Sequence, residues 1–125
     1  MSDHVSITLP AREEFARALR MTAAALASRA GMSLDDVEDV RIAVEEAYLF
    51  AIGRVDAGEP VTFDFSVDDE SLSLEIGRLP TAAEGSSAGN EASYARFILE
   101  SVCDSFDLEE QGGVCRLSLT KKAAQ

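Results

Sequence analysis

A chain of 125 residues with 46% apolar content and a formal charge of −12 has the size of one globular domain and enough apolar side chains to do without a metal or disulfide staple. The acidic balance excludes nucleic acid and anionic membrane as partners, since both demand a basic face; it permits a basic protein partner, or serves only solubility. No run approaches the ~18 apolar residues of a membrane span, and the opening MSDHVSITLP lacks a basic region followed by an apolar one, so the expected location is the cytoplasm.

From His4 to Leu9, Val5, Ile7 and Leu9 alternate with Ser6 and Thr8, which predicts a strand with one buried face. Pro10 is expected to open a helix, where its missing N–H costs nothing. Phe15, Leu19, Ala23, Leu26 and Ala30 continue at helical spacing to a stop at Gly31. A second helix is predicted over 33–55, capped by Ser33, with Asp35, Asp36, Glu38 and Asp39 at the positive end of its dipole. Val37, Val40, Val44, Ala47, Tyr48 and Ala51 form one apolar stripe; Ile42, Leu49 and Phe50 form another, with Glu46 inside it. A helix apolar on two sides is packed on two sides, so this one is placed between a sheet and another helix. Arg41 and Glu45 have the spacing of a weak surface pair.

Val61, Phe63, Phe65 and Val67, then Leu72, Leu74 and Ile76, alternate with polar residues about a turn at Asp69-Glu70, and predict a hairpin with one greasy and one wet face. Residues 80–92, rich in small and polar side chains, read as a lid-like loop. Tyr94, Phe97, Ile98 and Val102 predict a third helix, with Tyr94 and Phe97 anchoring it to the sheet. Phe106 and Leu108, the turn Gln111-Gly112-Gly113, then Cys115, Leu117 and Leu119 predict a second hairpin, and 121–125 a frayed tail. The order β-α-α-β-β-α-β-β, within one domain over 1–125, predicts an α+β fold: a two-layer sandwich whose antiparallel-rich mixed sheet carries its helices on one face.

Cys103 and Cys115 have neither CxxC spacing nor neighbouring histidines, so zinc is not expected and both read as reduced, mostly buried thiols. His4 is the single histidine and lies near the N-terminus, so no serine–histidine or cysteine–histidine nucleophile is expected.

Two segments carry a resemblance: LPAREEFARALRMTAAALASRAGMSLDDVEDVRIAVEEA and ARFILESVCDSFDLEEQGGVCRLSLTKK. With the layout above they resemble the anti-sigma factor and serine-protein kinase group of the GHKL ATPases, which share the Bergerat fold with histidine kinases. The resemblance implies nucleotide chemistry at three places. Glu46 matches a glutamate that looks like the general base, but Phe50 stands where an asparagine would hold magnesium, and a phenyl ring offers no oxygen to that ion. Arg78 stands where an aspartate would accept from the adenine amine; a guanidinium only donates. Pro80 replaces the first glycine that follows, and Ser93 and Ala95 replace lid glycines; Gly85 and Gly89 lack a phosphate-cradling spacing. The resemblance thus implies a degenerate ATP site with no cofactor expected.

The implied function is an anti-sigma-factor-like regulator, a homodimer that binds a sigma factor or the sigma pathway's phosphorylatable antagonist protein. The alternatives are an ATP- and magnesium-dependent serine-protein kinase acting on that antagonist, and a purely dimerising domain. Glu46 reads as a residual base or as a structural carboxylate bonded to a nearby amide or hydroxyl. Arg78 either closes the old pocket, on Glu46, Glu84 or Glu91, or is solvated. Arg12, Arg17 and Arg20 mark an interaction edge or a wet helix face.

Overall fold

The computed structural model describes residues 2–80 and 88–124, with backbone alone for 88–92. Strand β1 (Asp3–Pro10) leads through a 3-10 turn (Glu13–Phe15) into helix α1 (Ala16–Arg29), then helix α2 (Leu34–Ile52). The hairpin β2 (Pro60–Val67) and β3 (Ser71–Pro80) follows, then helix α3 (Ala88–Val102) and the hairpin β4 (Ser105–Gln111) and β5 (Val114–Lys122). The sheet order is β1-β2-β3-β5-β4, and every pairing is antiparallel, so the mixed sheet expected from the sequence is antiparallel throughout its described pairings.

The alternation in the strands fixes the layers. Leu9, Val61, Phe63, Phe65, Leu72, Leu74, Ile76, Leu117 and Leu119 are buried on the face that the helices cover, each large side chain contributing about 1.5–3 kcal/mol. The other face is a polar ladder: Ser6 donates to Asp64, the Thr8 and Thr62 hydroxyls lie 2.8 Å apart, Ser73 and Thr120 2.9 Å, and Arg116 meets Glu75 at 3.6 Å. His4 joins that ladder, its Nδ1 3.0 Å from the Ser66 hydroxyl.

Pro10 does not open a helix. It ends β1 opposite Pro60, and the chain then bends, with Arg12 N–H donating to the Pro10 carbonyl, Ala11 N–H to the Glu59 carbonyl and Gly58 N–H to that of Ala11. The Tyr48 hydroxyl, 2.8 Å from the Pro10 and Arg12 carbonyls, pins the same corner to α2, and its ring stacks on Phe63 at 5.4 Å. Ser33 caps α2 as the sequence implies, its hydroxyl accepting from Asp36 N–H at 3.2 Å. Gly31 takes the left-handed φ of 78° that closes α1. The Gly112–Gly113 turn has φ of 61° and 79°, the two positive values a tight antiparallel hairpin requires.

Three other expectations change. Residues 88–92 belong to α3, not to a loop; 81–87 lie outside the described residues. Tyr94 and Phe97 are 60% and 68% exposed, and α3 docks instead through Ala95 and Leu99. The tail is fastened: β5 runs to Lys122, Ala123 N–H donates to the Glu70 carbonyl at 2.7 Å, and Ala124 N–H donates to Asp36 Oδ2 at 2.9 Å. Both thiols are shielded, burial pushing Cys103 up to about 11 and raising Cys115 as well. No described helix is long and apolar enough to cross a membrane.

Candidate functional site

Helix α2 sets Glu46 and Phe50 one turn apart on one side, four residues being just over a full turn. Phe50 is 6% exposed and belongs to the core. Glu46 is half-buried, and burial, reinforced by the neighbouring Glu45 charge, pushes its carboxyl above the usual range. Among the described residues nothing bonds to it, so the amide or hydroxyl partner expected for a structural role is missing.

One turn beyond Phe50, the chain places Arg54. Its side chain is 3% exposed, and its guanidinium carbon lies 4.5 Å from the Phe50 ring centroid. One terminal nitrogen donates to the Pro80 carbonyl at 3.4 Å and to Glu110 Oε1 at 3.3 Å. A buried guanidinium must be paired; here a ring, a carbonyl and a half-exposed carboxylate share that task. A desolvated cation on a ring contributes about 2 kcal/mol. Four elements thereby converge: the end of α2, the end of β3, β4, and the β5 start beneath them.

Of the residues singled out in the sequence, the structure joins Phe50 to Pro80, through Arg54. It does not bring Arg78 to them. Arg78 is exposed, has a left-handed φ of 61°, and sits in the irregular register between Ile76 and Leu79. Among the described residues it makes no ion pair, Glu46 included. Glu84 and the Glu91 side chain lie outside the described residues, as does Gly85; Gly89 is within α3. Ser93 is exposed on α3 and Ala95 buried under it.

Sequence reasoning missed Arg54 and Glu110. The available signal was Phe50 and Arg54 at i and i+4, the spacing at which a cation can lie over a ring.

Among the described residues, two hollows lie beside α2. One, of about 520 Å³, is lined by Arg17, Arg20, Met21, Ala24 and Arg41. Arg20 pairs with Glu45 at 2.6 Å, and Arg41 with Glu38 at 3.5 Å, in place of the expected Arg41–Glu45 pair. Arg17 has no partner among the described residues, and neither does Nε of Arg20, which is buried. The other hollow, of about 590 Å³, lies by the fastened tail and is lined by Asp36, Asp68, Asp104 and Lys121, among others. Among the described residues no group of three or more histidine, cysteine or acidic side chains is placed to hold a metal.

Residues 9–119 match the family model of the histidine kinase-like ATPase domain. The chain is 27% identical over 133 aligned residues to the serine-protein kinase RsbW of Halalkalibacterium halodurans, covering 94% of this chain and 82% of that one. It is 30% identical to the RsbW of Listeria innocua over 61% of this chain and 50% of that one, and 33% identical to the RsbW of Bacillus licheniformis over 60% and 49%. The matches thus span about half the length of these Listeria and Bacillus relatives. The crystal structure of the RsbU and RsbW domains of a Mycobacterium tuberculosis protein superposes with a TM-score of 0.68 at 14% identity, over 97% of this chain and 33% of that one, which is a likeness of fold. With a family match across nearly all of its length and a helix-covered antiparallel sheet to go with it, the chain belongs to the histidine kinase-like ATPase domain family.

Proposed function

We propose that this chain is an anti-sigma-factor-like regulator that works by binding a sigma factor or that factor's antagonist, without phosphoryl transfer. The observation that carries this reading is the buried stack of Arg54 on Phe50, closed by Pro80 and Glu110. The residues present do not fit MgATP. Where the family resemblance puts a magnesium ligand there is a phenyl ring, and a hard cation needs oxygen. Beside it sits a positive charge, Arg54, which repels a metal ion. Where an acceptor for the adenine amine is expected, Arg78 can only donate. Residues 1–125 are read as one cytoplasmic domain, acting as a homodimer.

The arginine-lined hollow on α1 supports the binding role. Arg17, Arg20 and Arg41 cluster around Met21, which is 61% exposed, on a chain of charge −12. With Arg20 and Arg41 paired to Glu45 and Glu38, Arg17 is the cation left, among the described residues, to meet an acidic segment of a partner.

The kinase alternative has one observation in its favour. Glu46, half-buried with a raised pKa and no partner among the described residues, has the character of a general base.

Thermal unfolding with MgATP, and with ATP plus chelator, separates the two. A ligand at a hundredfold excess over its Kd stabilises by about 2.7 kcal/mol. No magnesium-dependent shift is expected; a clear one overturns the reading. Capture of a sigma factor or its antagonist by the wild-type chain, lost on Arg17→Glu, is the positive result.

A further inference from the structure

The outward sides of α2 and α3 carry an apolar strip that the binding role assigned to the arginine hollow does not use. On α2, Ile42 and Leu49 are 41% and 38% exposed, and Glu46 lies between them at i+4, so the three share one flank. On the neighbouring α3, Tyr94 and Phe97 stand out at i and i+3, while Ala95 and Leu99 face inward. The sequence pattern would have buried all four. Two exposed aromatics on adjacent turns are the composition of an interface anchor.

Charge decides what fits there. Glu46 has no cation among the described residues. Among the described residues Glu100 pairs with Arg96 alone, at 4.0 Å, and that guanidinium lies over the Phe106 ring at 5.4 Å. The strip is therefore apolar with unneutralised acid beside it. A second copy of this chain brings the same acids and the same charge of −12, and an anionic lipid surface repels it; a cationic segment satisfies both the rings and the glutamates.

We infer that the α2–α3 face, centred on Phe97, Tyr94 and Glu46, docks an amphipathic helix with basic flanks from a partner protein. Its apolar side covers Ile42, Leu49, Tyr94 and Phe97, and a lysine or arginine meets Glu46. The inference rests on reading the chain as a binding module and adds a second surface of opposite charge to the arginine hollow. An acidic segment and a basic helix then occupy separate sides of the helical layer.

The test uses a labelled peptide of leucine and lysine in amphipathic helical order, with leucine–glutamate and proline-interrupted peptides as controls. Fluorescence anisotropy with the intact chain is expected to give binding to the first peptide only. Phe97→Ser, Tyr94→Ser and Glu46→Lys are each expected to weaken it at least about tenfold, and Leu34→Ser, at an exposed apolar position at the start of α2, to leave it unchanged. Both aromatics are exposed, so their loss spares the fold; circular dichroism checks this. Equal binding by wild type and variants, or preference for the glutamate peptide, overturns the inference. So does self-association, by sedimentation, that disappears with Phe97→Ser. A natural partner whose capture survives Phe97→Ser but fails with Arg17→Glu removes this surface and leaves the binding-module reading standing.

Discussion

At its N-terminal end α2 is fastened by Lys121, at its C-terminal end by Arg54, and the two cations are held differently. Lys121 donates to Asp39 Oδ2 and to the Val102 carbonyl, each at 3.1 Å, with Asp36 Oδ1 at 3.9 Å. Asp36 in turn caps the tail through Ala124 N–H, and Asp104 accepts from Lys122 N–H at 2.6 Å. That is a network of carboxylates and amides tying α2, α3 and β5 into one corner. Among the described residues Arg54 has a single carboxylate at 3.3 Å, one carbonyl and a ring. The first end is a structural joint. The second is held by sparse polar surroundings and an aromatic ring.

The sharpest way to break the comparison is to reverse the charge at the less supported end. Arg54→Glu buries an acid beside Glu110 and the Pro80 carbonyl and should cost about 3–5 kcal/mol or prevent folding; urea denaturation measures it. Arg54→Met keeps the volume and the contact with Phe50, and should lose no more than about 2 kcal/mol. If Met and Glu cost the same, the guanidinium is not the element that matters.

Lys121→Met should cost about 1–2 kcal/mol, because Asp36 and Asp39 lose their shared cation in a part-buried corner. Its pH dependence identifies the joint. The Asp36 carboxyl is held below the usual range, first by the Ala124 amide and then, against burial, by Lys121 and Ser33. Asp68 is held down as well, chiefly by the Glu70 amide. Depressed carboxylates stabilise the fold above their unfolded value of about 3.9 and lose that contribution as pH falls through the folded value. Stability should therefore drop below about pH 4, and Asp36→Asn should flatten part of that drop. The smallest effect belongs to Glu46. Its folded pKa is raised, so its ionised form opposes folding above the unfolded value of about 4.3. Glu46→Gln should raise Tm slightly at pH 7 and leave it unchanged at pH 4.

The strands and the first two helices were legible because period-2 and helical spacing are direct consequences of which face is wet. Val61 to Val67 and the Ser33 cap needed nothing beyond their neighbours. On α3 the pattern misled: Tyr94 and Phe97 carry the large apolar areas, but Ala95 and Leu99, on the opposite side, fit the same spacing and are the ones buried. Ala95 carries too little apolar area to outweigh the two aromatics beside it. Lys121 was illegible for another reason: its carboxylate partner Asp39 is distant in the chain, and no local window contains both. Arg54 offered its spacing from Phe50, but its acid partner Glu110 is equally distant. Of the positions named from the family resemblance, Phe50 lies in the core, Arg78 is exposed, and Glu46 has no hydrogen-bond partner among the described residues.

The shielded thiols have a practical corollary. A thiol whose pKa stands near 11, as for Cys103, is almost wholly protonated at neutral pH, and only the thiolate alkylates readily. Cys115 is fully buried. A new cysteine at Thr62, on the exposed side of the sheet, would then be the one to take a maleimide dye. The label would ride opposite the helices, where it can report a partner's arrival by distance without standing in its way.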